Sequence, residues 1–188
     1  MIEAAVELFL EQGYGPTTID QIAQAADVSP QSVYASFDGK AGILEHAVHL
    51  LRTGDPAGRT RDSEAARGVT EIADLRERAR ASAALTRAVH EPSAAVIAIV
   101  ERASATDPAL ADLHDRLRIQ RRESVAHTTD NVPAKAFRKG ITKSEATDAL
   151  TYLCAAHSYT ELVDGMGWTP DRYERWLGDT IYQMLFAD

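Results

Sequence analysis

The chain has 188 residues, a formal net charge of −8 and one cysteine, Cys154. This length is sufficient for one compact domain or for a small module with a larger companion. A single cysteine excludes an internal disulfide framework, and the lack of CxxC or Cys/His ligand spacing excludes the structural zinc classes. The acidic, amphipathic start and the shortness of every apolar run predict neither a signal peptide nor a membrane span, so we expect a cytoplasmic protein.

Apolar residues recur at helical spacing along nearly the whole chain, and no stretch alternates as a strand does. The sequence therefore predicts an all-α fold. The predicted helices cover residues 1–12, 18–25, 29–36, 39–52, 63–90, 92–105, 108–130, 143–164 and 170–186, with a short turn after Pro133.

Four of these helix starts carry N-cap chemistry. Ser29, Asp107 and Thr169 each precede a proline, which combines an N-cap side chain with proline at the first helical position. Thr18 and Gln21 have the spacing of a capping box, in which each side chain satisfies a backbone amide of the other residue. We expect a helix to begin at each of the four.

The segment over residues 52–63, RTGDPAGRTRDS, is rich in glycine, proline and charge. It has little to bury and predicts a loop or hinge. We therefore expect an N-terminal module over residues 1–45 and a larger domain over residues 46–188.

Residues 18–37 have the pattern of a helix-turn-helix, in which two short helices are separated by residues 26–28. Val33 and Phe37 face inward from the second helix. Its outward side then carries Gln31, Ser32, Ala35 and Ser36, near the helix N-terminus, where base edges are usually met. A glutamine at such a position can pair with the edge of an adenine.

The run from Ile2 to Lys40 resembles the N-terminal domain of the tetracycline-repressor (TetR/AcrR) family, over about the first quarter of the chain. The matching residues, in the order and spacing of that family, are Ala4, Ala5, Leu8, Phe9, Gly13, Tyr14, Thr17, Thr18, Ile22, Ala23, Val28, Ser29, Tyr34, Phe37 and Lys40. Two positions depart from the pattern, because Asp27 replaces the usual turn glycine and Ala41 replaces a common glutamate. Aspartate can adopt left-handed backbone geometry, so we expect the turn to be kept.

By this resemblance the chain has a three-helix DNA-binding head and a larger helical domain for ligand binding and dimerisation. The resemblance implies a homodimeric transcriptional repressor that binds a pseudo-palindromic operator in double-stranded DNA and is released by a small-molecule effector. The implied DNA-binding residues are Thr18, Ser29, Gln31, Ser32, Tyr34, Ser36 and Lys40. Tyr34 and Lys40 fall at phosphate-contacting positions, whereas Gln31, Ser32 and Ser36 lie where bases are read.

Residues 1–52 carry two cations, Lys40 and Arg52, against seven anions, a net charge of −5. Because neutralised phosphates supply most non-specific affinity, such a head should bind weakly off target and depend little on salt. Two explanations stay open: helix N-termini replace part of the missing charge, or the native chain starts upstream of Met1 with the basic arm that many family members carry. The alternative function is a ligand-binding or protein-interaction dimer whose DNA binding is weak or lost.

One face of the helix from Pro108 mixes polar groups with leucines and predicts part of a ligand pocket. The predicted pocket residues are Leu113, His114, Leu117, Arg121, Ser124 and Tyr152. The alternative is that His114 and Arg121 lie at the edge of an ordinary apolar stripe and reach water or a neighbouring carboxylate.

The helix predicted over residues 143–164 has two apolar stripes, of which one can face its own core and the other a partner. Together with the apolar stripe of the last helix, it predicts a symmetric dimer. The predicted interface residues are Leu150, Leu153, His157, Tyr173, Trp176, Leu177, Ile181 and Met184. Tyr173 and Trp176 can instead be ordinary core anchors.

No nucleophile elbow, phosphate-binding glycine loop or pair of carboxylates stands out in the sequence. His46 and His49 are three residues apart on one helix, but the HExxH pattern and a third ligand are both absent. Cys154 lies in an apolar helix, where a buried, inert thiol is usual. We therefore expect neither catalysis nor a metal or cofactor, and a metal- or cofactor-dependent helical enzyme stays a distant alternative.

Overall fold

The computed structural model describes residues 1–55 and 60–186, and for Arg61 only the backbone. Every regular element in these residues is helical, which confirms the all-α prediction. The α-helices are α1 (Ile2–Gln12), α2 (Ile19–Ala25), α3 (Pro30–Ser36), α4 (Gly39–Thr53), α5 (Glu64–Glu71), α6 (Leu75–Ala103), α7 (Pro108–Asp130), α8 (Lys143–Leu153), α9 (Ala156–Thr160) and α10 (Pro170–Leu185). Single turns of 3₁₀-helix lie at Thr60–Asp62 and Ala134–Ala136, and a turn of π-helix lies at Glu161–Gly165.

The four predicted N-caps are confirmed. Thr18 Oγ1 accepts from the Gln21 amide at 3.2 Å, and Gln21 Oε1 accepts from the Thr18 amide at 2.8 Å, so the capping box is complete. The hydroxyls of Ser29 and Thr169 each accept an amide in the first turn of α3 and α10. Asp107 Oδ1 accepts first-turn amides of α7. Each cap typically stabilises its helix by about 1 kcal/mol.

The single helix predicted over residues 63–90 is wrong, because the chain turns between α5 and α6. Ile72 has an extended backbone with a ψ of 117°, and Asp74 Oδ1 caps α6 by accepting from the Glu77 amide at 2.8 Å. The Arg78 guanidinium folds back and donates to carbonyls at the end of α5. The sequence signal for this break is an aspartate three residues before a glutamate, the spacing of a capping box.

The predicted helix end before Pro92 is also wrong, because α6 continues through this residue. A proline in a helix interior costs about 3 kcal/mol or more. The side chains of Val89, Val96 and Ile97 are buried on either side of it, and each such burial contributes about 1.5–3 kcal/mol. The burial of this face outweighs the cost of the proline.

The helix predicted over residues 143–164 is divided in the structure into α8, α9 and the π-helical turn at Glu161–Gly165. Cys154 ends α8, and Ala155 is extended with a ψ of 151°. The ring nitrogen Nε2 of His90, a buried residue of α6, donates to the Cys154 carbonyl at 3.0 Å. The His90 ring therefore satisfies the Cys154 carbonyl at the point where the helical hydrogen bonds are interrupted.

Two compact units divide the chain. Unit 1 consists of Met1–Gly58 and Ala95–Leu117, and unit 2 consists of Arg59–Ala94 and Arg118–Asp188. Both α6 and α7 therefore contribute residues to each unit. Unit 1 is larger than the predicted module of residues 1–45, because it also takes in the rest of α4, the end of α6 and the start of α7.

Each unit has its own apolar core. In unit 1, α1 packs on α2 and α4, and α2 packs on α3. Its fully buried side chains include Ala5, Phe9, Ile22, Val33, Ile43, Leu44, Val48, Val100, Leu110 and Leu113. In unit 2, α10 packs on α8, and Gly178 lets it approach α6, since an added Cβ there would lie 3.3 Å from the Cα of Arg80.

Among the described helices, α6 is long and apolar enough to cross a membrane by length and composition alone. Half of its most apolar window is buried inside the protein, as is usual for a core helix. Packing within the fold is therefore a sufficient explanation for its composition.

Candidate nucleic-acid interface

The turn between α2 and α3 has the geometry of a helix-turn-helix. Asp27 has a φ of 53°, which confirms the left-handed backbone expected at this position. The Val28 amide donates to the Ala23 carbonyl at 2.9 Å across the turn. Aspartate tolerates this backbone conformation better than most residues with a side chain, so the turn forms without glycine.

The outer side of α3 is polar and open to solvent. Val33 is fully buried, whereas Gln31, Ser32 and Ser36 are exposed and the Tyr34 side chain is 63% exposed. The Ser29 hydroxyl caps α3 and also lies 2.9 Å from the Ser32 hydroxyl. The side chains predicted to read bases therefore share an accessible surface, and their contact with DNA stays a prediction.

A groove of about 480 Å³ lies beside α3, between the loop after α1, the start of α2 and the start of α4. Three of the predicted DNA-binding residues, Thr18, Tyr34 and Lys40, line this groove. The N-terminus of α4 also lies at this groove, because Asp38 and Gly39 are part of its lining. Helix N-termini attract anions because their first amides have no partner within the helix.

Lys40 was predicted to contact phosphate, but in the structure its ammonium is used within the protein. Nζ donates to the carbonyls of Tyr14 at 2.8 Å, Gly15 at 3.3 Å and Thr17 at 2.7 Å. It also lies 4.4 Å from the centroid of the Tyr14 ring. Since an ammonium has three N–H donors, these three bonds use the hydrogen-bonding capacity of Lys40 to order the loop between α1 and α2, and its contact with phosphate stays a prediction.

Tyr14 connects this loop to the start of α7. Its hydroxyl donates to Asp107 Oδ2 at 3.1 Å, while Asp107 Oδ1 accepts from the Ala109 amide at 2.9 Å. Burial, and then the charge and hydrogen bond of Asp107, raise the pKa of Tyr14 well above its usual range. Burial lowers the pKa of Lys40, and the charge of Asp107 opposes that effect. The sequence predicted Asp107 as a helix cap and gave no signal for its bond to Tyr14.

The electrostatics of unit 1 are unfavourable for a polyanion. The unit has four cationic side chains against twelve carboxylates, a net of −8. One of the cations, Arg116, pairs with Glu45 at 2.8 Å. Asp38 also lines the groove. Short-range contacts rather than net charge must therefore supply any affinity for DNA.

Five of the six predicted pocket residues lie along α7, between Leu113 and Ser124, and the sixth, Tyr152, lies on α8. Leu113, His114 and Leu117 belong to unit 1, and both leucines are buried. Arg121, Ser124 and Tyr152 belong to unit 2. Tyr152 is 74% exposed, which is unsuitable for the wall of an internal pocket. A small cavity in unit 2 has other lining residues, because its walls come from four helices whose packing no local pattern specifies.

The eight predicted interface residues divide by burial. The side chains of Leu150, Tyr173, Leu177 and Ile181 are buried within a single protomer, where they form core. Leu153, Trp176 and Met184 are half-buried, and His157 is exposed. The second group is the part of the prediction that a partner could cover.

The side chains considered as metal ligands have other surroundings. His46 Nδ1 lies 2.7 Å from the Gly42 carbonyl, and its ring packs edge-on against Phe37. Within residues 1–55 and 60–186, no three His, Cys, Asp or Glu side chains are placed to hold a metal together. Burial raises the pKa of the Cys154 thiol, which makes it less reactive.

Residues 1–47 match the family model described as bacterial regulatory proteins, tetR family. Over 48 residues the chain is 42% identical to the biofilm operon icaADBC HTH-type negative transcriptional regulator IcaR of Staphylococcus aureus (strain Newman), a match that covers 26% of each chain. It is equally identical to the probable HTH-type transcriptional regulator YttP of Bacillus subtilis (strain 168), of which the match covers 23%. The matched region thus spans about a quarter of these curated relatives.

Solved structures resemble the chain along its whole length. NalD, the secondary repressor of the MexAB-OprM multidrug efflux pump in Pseudomonas aeruginosa, has a TM-score of 0.76 and 22% identity, covering 100% of this chain and 95% of that one. FadR from Bacillus subtilis in complex with stearoyl-CoA has a TM-score of 0.73 and 14% identity, covering 97% and 96%. At these identities the likeness shows the fold.

Proposed function

We propose that the chain is a cytoplasmic transcriptional repressor of the tetR family of bacterial regulatory proteins, whose model its residues 1–47 match. In this proposal it binds a pseudo-palindromic operator as a homodimer and is released by a small-molecule effector. The observation that carries the proposal is the outer side of α3, where Gln31, Ser32 and Ser36 are exposed beside a groove lined by Thr18, Tyr34 and Lys40.

Recognition of DNA follows from this arrangement. The first residues of the second helix in a helix-turn-helix meet base edges in the major groove. The carboxamide of Gln31 can make two hydrogen bonds to an adenine, a contact that discriminates against other bases by about 1–3 kcal/mol. The exposed hydroxyl of Tyr34 and the first amides of α4 are suited to phosphate oxygens.

The homodimer is supported by the half-buried apolar side chains of Leu153, Trp176 and Met184. A second copy would cover them, and the symmetry of a twofold dimer would place two α3 helices on two operator half-sites. Sedimentation velocity at micromolar concentration tests this point. A monomer that persists across the concentration range would contradict it.

Release by an effector requires a ligand that prefers the DNA-free conformation, since a ligand shifts an equilibrium only by its differential affinity for the two states. The fold is compatible with varied ligands, because similar structures include FadR in complex with stearoyl-CoA and a putative regulator from Saccharomonospora viridis in complex with choline. The latter has a TM-score of 0.65 and 22% identity over 98% of this chain and 95% of that one.

The experiment that tests the proposal is a selection of random duplexes by the purified protein at low and moderate salt. We expect one pseudo-palindrome to be enriched by the wild-type protein and by Gln120→Ala, a change in unit 2. The Gln31→Ala variant should lose this enrichment. Enrichment that survives Gln31→Ala unchanged would contradict the role of α3.

A second candidate function is a ligand-binding or protein-interaction dimer without DNA binding. It is favoured by the net charge of −8 in unit 1 and by the engagement of the Lys40 ammonium with backbone carbonyls. The same selection separates the two candidates. If no duplex is enriched at low salt, even by a chain extended with a basic N-terminal arm, the second candidate is favoured.

A further inference from the structure

The start of α7 forms a further wall of the groove beside α3. Ala109, the second residue of α7, lines this groove together with Tyr14 and Lys40. Although Ala109 is far from the helix-turn-helix along the chain, both belong to unit 1. The shape of the groove therefore depends on how the start of α7 is held against the loop after α1.

One carboxylate, that of Asp107, is bonded to both of these walls. Its Oδ2 accepts from the Tyr14 hydroxyl at 3.1 Å, and its Oδ1 accepts from the Ala109 amide at 2.9 Å. Because an ionised acceptor strengthens a hydrogen bond, Asp107 is suited to hold the loop and the helix start in a fixed relation.

The bond to Tyr14 also reaches the side chains at which a phosphate is expected. The Tyr14 carbonyl accepts from Lys40 Nζ at 2.8 Å, and the Tyr14 ring lies 4.4 Å from the same ammonium. The Thr17 carbonyl accepts from Nζ at 2.7 Å, and Thr17 directly precedes Thr18, the cap of α2. A displacement of Tyr14 would therefore move the Lys40 ammonium and the start of α2.

We propose that Asp107 is a positioning residue for DNA binding, which acts through Tyr14 on the groove beside α3. It touches no base in this arrangement, so it sets the affinity for duplex DNA in general and leaves the choice of sequence to α3. The inference rests on the proposed function, because it concerns how firmly the groove is held for a phosphate backbone.

The competing explanation is that the bond from Tyr14 to Asp107 only stabilises the fold. Other bonds also order the loop, such as the one from the Thr17 hydroxyl to the Gly13 carbonyl at 2.7 Å. If these bonds suffice, loss of the Tyr14 bond lowers the free energy of unfolding, and the protein that stays folded binds DNA as before. The two explanations therefore differ in the DNA affinity of the folded protein.

Two substitutions separate the bond to Tyr14 from the charge and the cap of Asp107. Asp107→Asn and Asp107→Ser both remove the charge and both keep a good N-cap residue. The asparagine side chain can still bond to the Tyr14 hydroxyl, whereas the shorter serine side chain can cap α7 but cannot also reach Tyr14. The two variants therefore differ in this bond.

Fluorescence anisotropy on the full chain compares the two variants at low salt, with the selected duplex and with a duplex of its shuffled sequence. We expect Asp107→Ser to bind both duplexes about fivefold or more weakly than Asp107→Asn, as the loss of one hydrogen bond implies. The ratio of the two affinities should stay unchanged. Equal binding by the two variants, or a changed ratio, overturns the proposal.

Tyr14→Phe assigns the effect to the bond. It should weaken binding about fivefold or more in the wild-type protein and in Asp107→Asn, and it should change nothing in Asp107→Ser, where the bond is already lost. Equal effects in all three backgrounds overturn the proposal. If circular dichroism shows that Asp107→Ser does not fold, the comparison of Tyr14→Phe with the wild-type protein decides.

Val100→Ala controls for lost stability, because Val100 is fully buried in the core of unit 1. This variant should be destabilised and, where circular dichroism shows it folded, should bind both duplexes as the wild type does. A loss of affinity as large as that of Tyr14→Phe would overturn the positioning role.

Failure of this inference and failure of the proposed function are distinguishable. Enrichment of one duplex by the wild-type protein, together with equal binding by Asp107→Ser and Asp107→Asn, overturns the positioning role and leaves the proposed repressor standing. The absence of duplex binding by the wild-type protein at low salt contradicts the proposed function and the positioning role with it.

Discussion

Unit 1 and unit 2 differ in net charge. Unit 1 has four cationic side chains against twelve carboxylates, whereas unit 2 has sixteen of each, so unit 1 accounts for the whole formal net charge of −8. In unit 2, one arginine, Arg87, lies within ion-pair distance of Glu91, Asp171 and Glu174. The unit with the helix-turn-helix is thus the one that repels DNA at long range, and the proposed affinity for an operator requires short-range contacts at α3.

The two units also differ in the surroundings of a tyrosine hydroxyl. In unit 1 the Tyr14 hydroxyl donates to Asp107 at 3.1 Å, and this bond joins the loop after α1 to the start of α7. In unit 2 Tyr173 is fully buried, and its hydroxyl has no partner among the described residues. Unit 1 therefore uses a polar network to position its loop, whereas the tyrosine of unit 2 contributes mainly its ring to the core.

The same substitution at these two tyrosines gives the largest expected contrast. Tyr14→Phe should lower the free energy of unfolding by about 1–3 kcal/mol, because it leaves Asp107 Oδ2 without its donor. Tyr173→Phe should be neutral or slightly stabilising, because it removes a buried hydroxyl that has no partner among the described residues. Urea unfolding measures both. Equal losses in the two variants would contradict the contrast.

The two capping boxes give the next contrast, through pH. The backbone amide and then the hydroxyl of Thr142 lower the pKa of Glu145 in unit 2. A lowered folded-state pKa adds stability that is present above the unfolded value of about 4.3 and is lost as pH falls through the folded value. Thr142→Ala removes the hydroxyl bond to the Glu145 carboxylate and the cap bond from the Glu145 amide, and it keeps the bond from its own amide. It should therefore destabilise the protein at both pH values, and somewhat more at pH 7 than at acid pH.

Thr18→Ala is the matched change in unit 1, where the partner Gln21 does not titrate. It should lower the free energy of unfolding by about 1 kcal/mol at both pH values. Thermal or urea unfolding at pH 7 and below pH 4 checks the pair. A pH-independent loss in Thr142→Ala would show that the bond from the Thr142 hydroxyl to Glu145 adds no stability.

The smallest expected effect concerns the charge of unit 1. Asp38 lines the groove beside Tyr34 and Lys40 and makes no side-chain cap bond to α4. Asp38→Asn should raise the affinity for non-specific duplex DNA about two- to fivefold at low salt, because it removes a repelling charge near the phosphates. Asp179→Asn, at an exposed position of unit 2, should change nothing. Anisotropy titrations at two salt concentrations compare them.

Features encoded by a few consecutive residues could be predicted from the sequence. The caps at Thr18, Ser29, Asp107 and Thr169 are all present, because the cap and the amide that it accepts are neighbours in the chain. The left-handed turn at Asp27 belongs to the same class. The boundaries of the helix-turn-helix were therefore accessible without any tertiary information.

Features that depend on distant residues could not be predicted in this way. The bond from Tyr14 to Asp107 joins residues 93 positions apart, and Lys40 bonds to carbonyls 23 to 26 positions away. The break after α8 involves His90, which lies 64 positions from Cys154. Periodicity also could not decide which apolar stripe of a helix is core, so residues such as Leu177 were assigned to an interface although they are buried within one protomer.

The salt dependence of operator affinity tests the central claim most directly. Fluorescence anisotropy would follow the complex with the selected duplex over a range of salt concentrations. Because one cationic side chain, Lys40, lines the groove beside α3 in each copy, a plot of log affinity against log salt should have a slope of about −2 or shallower for the dimer. A slope of about −6 or steeper, or no preference for any duplex at any salt concentration, would contradict recognition by short-range contacts from an acidic head.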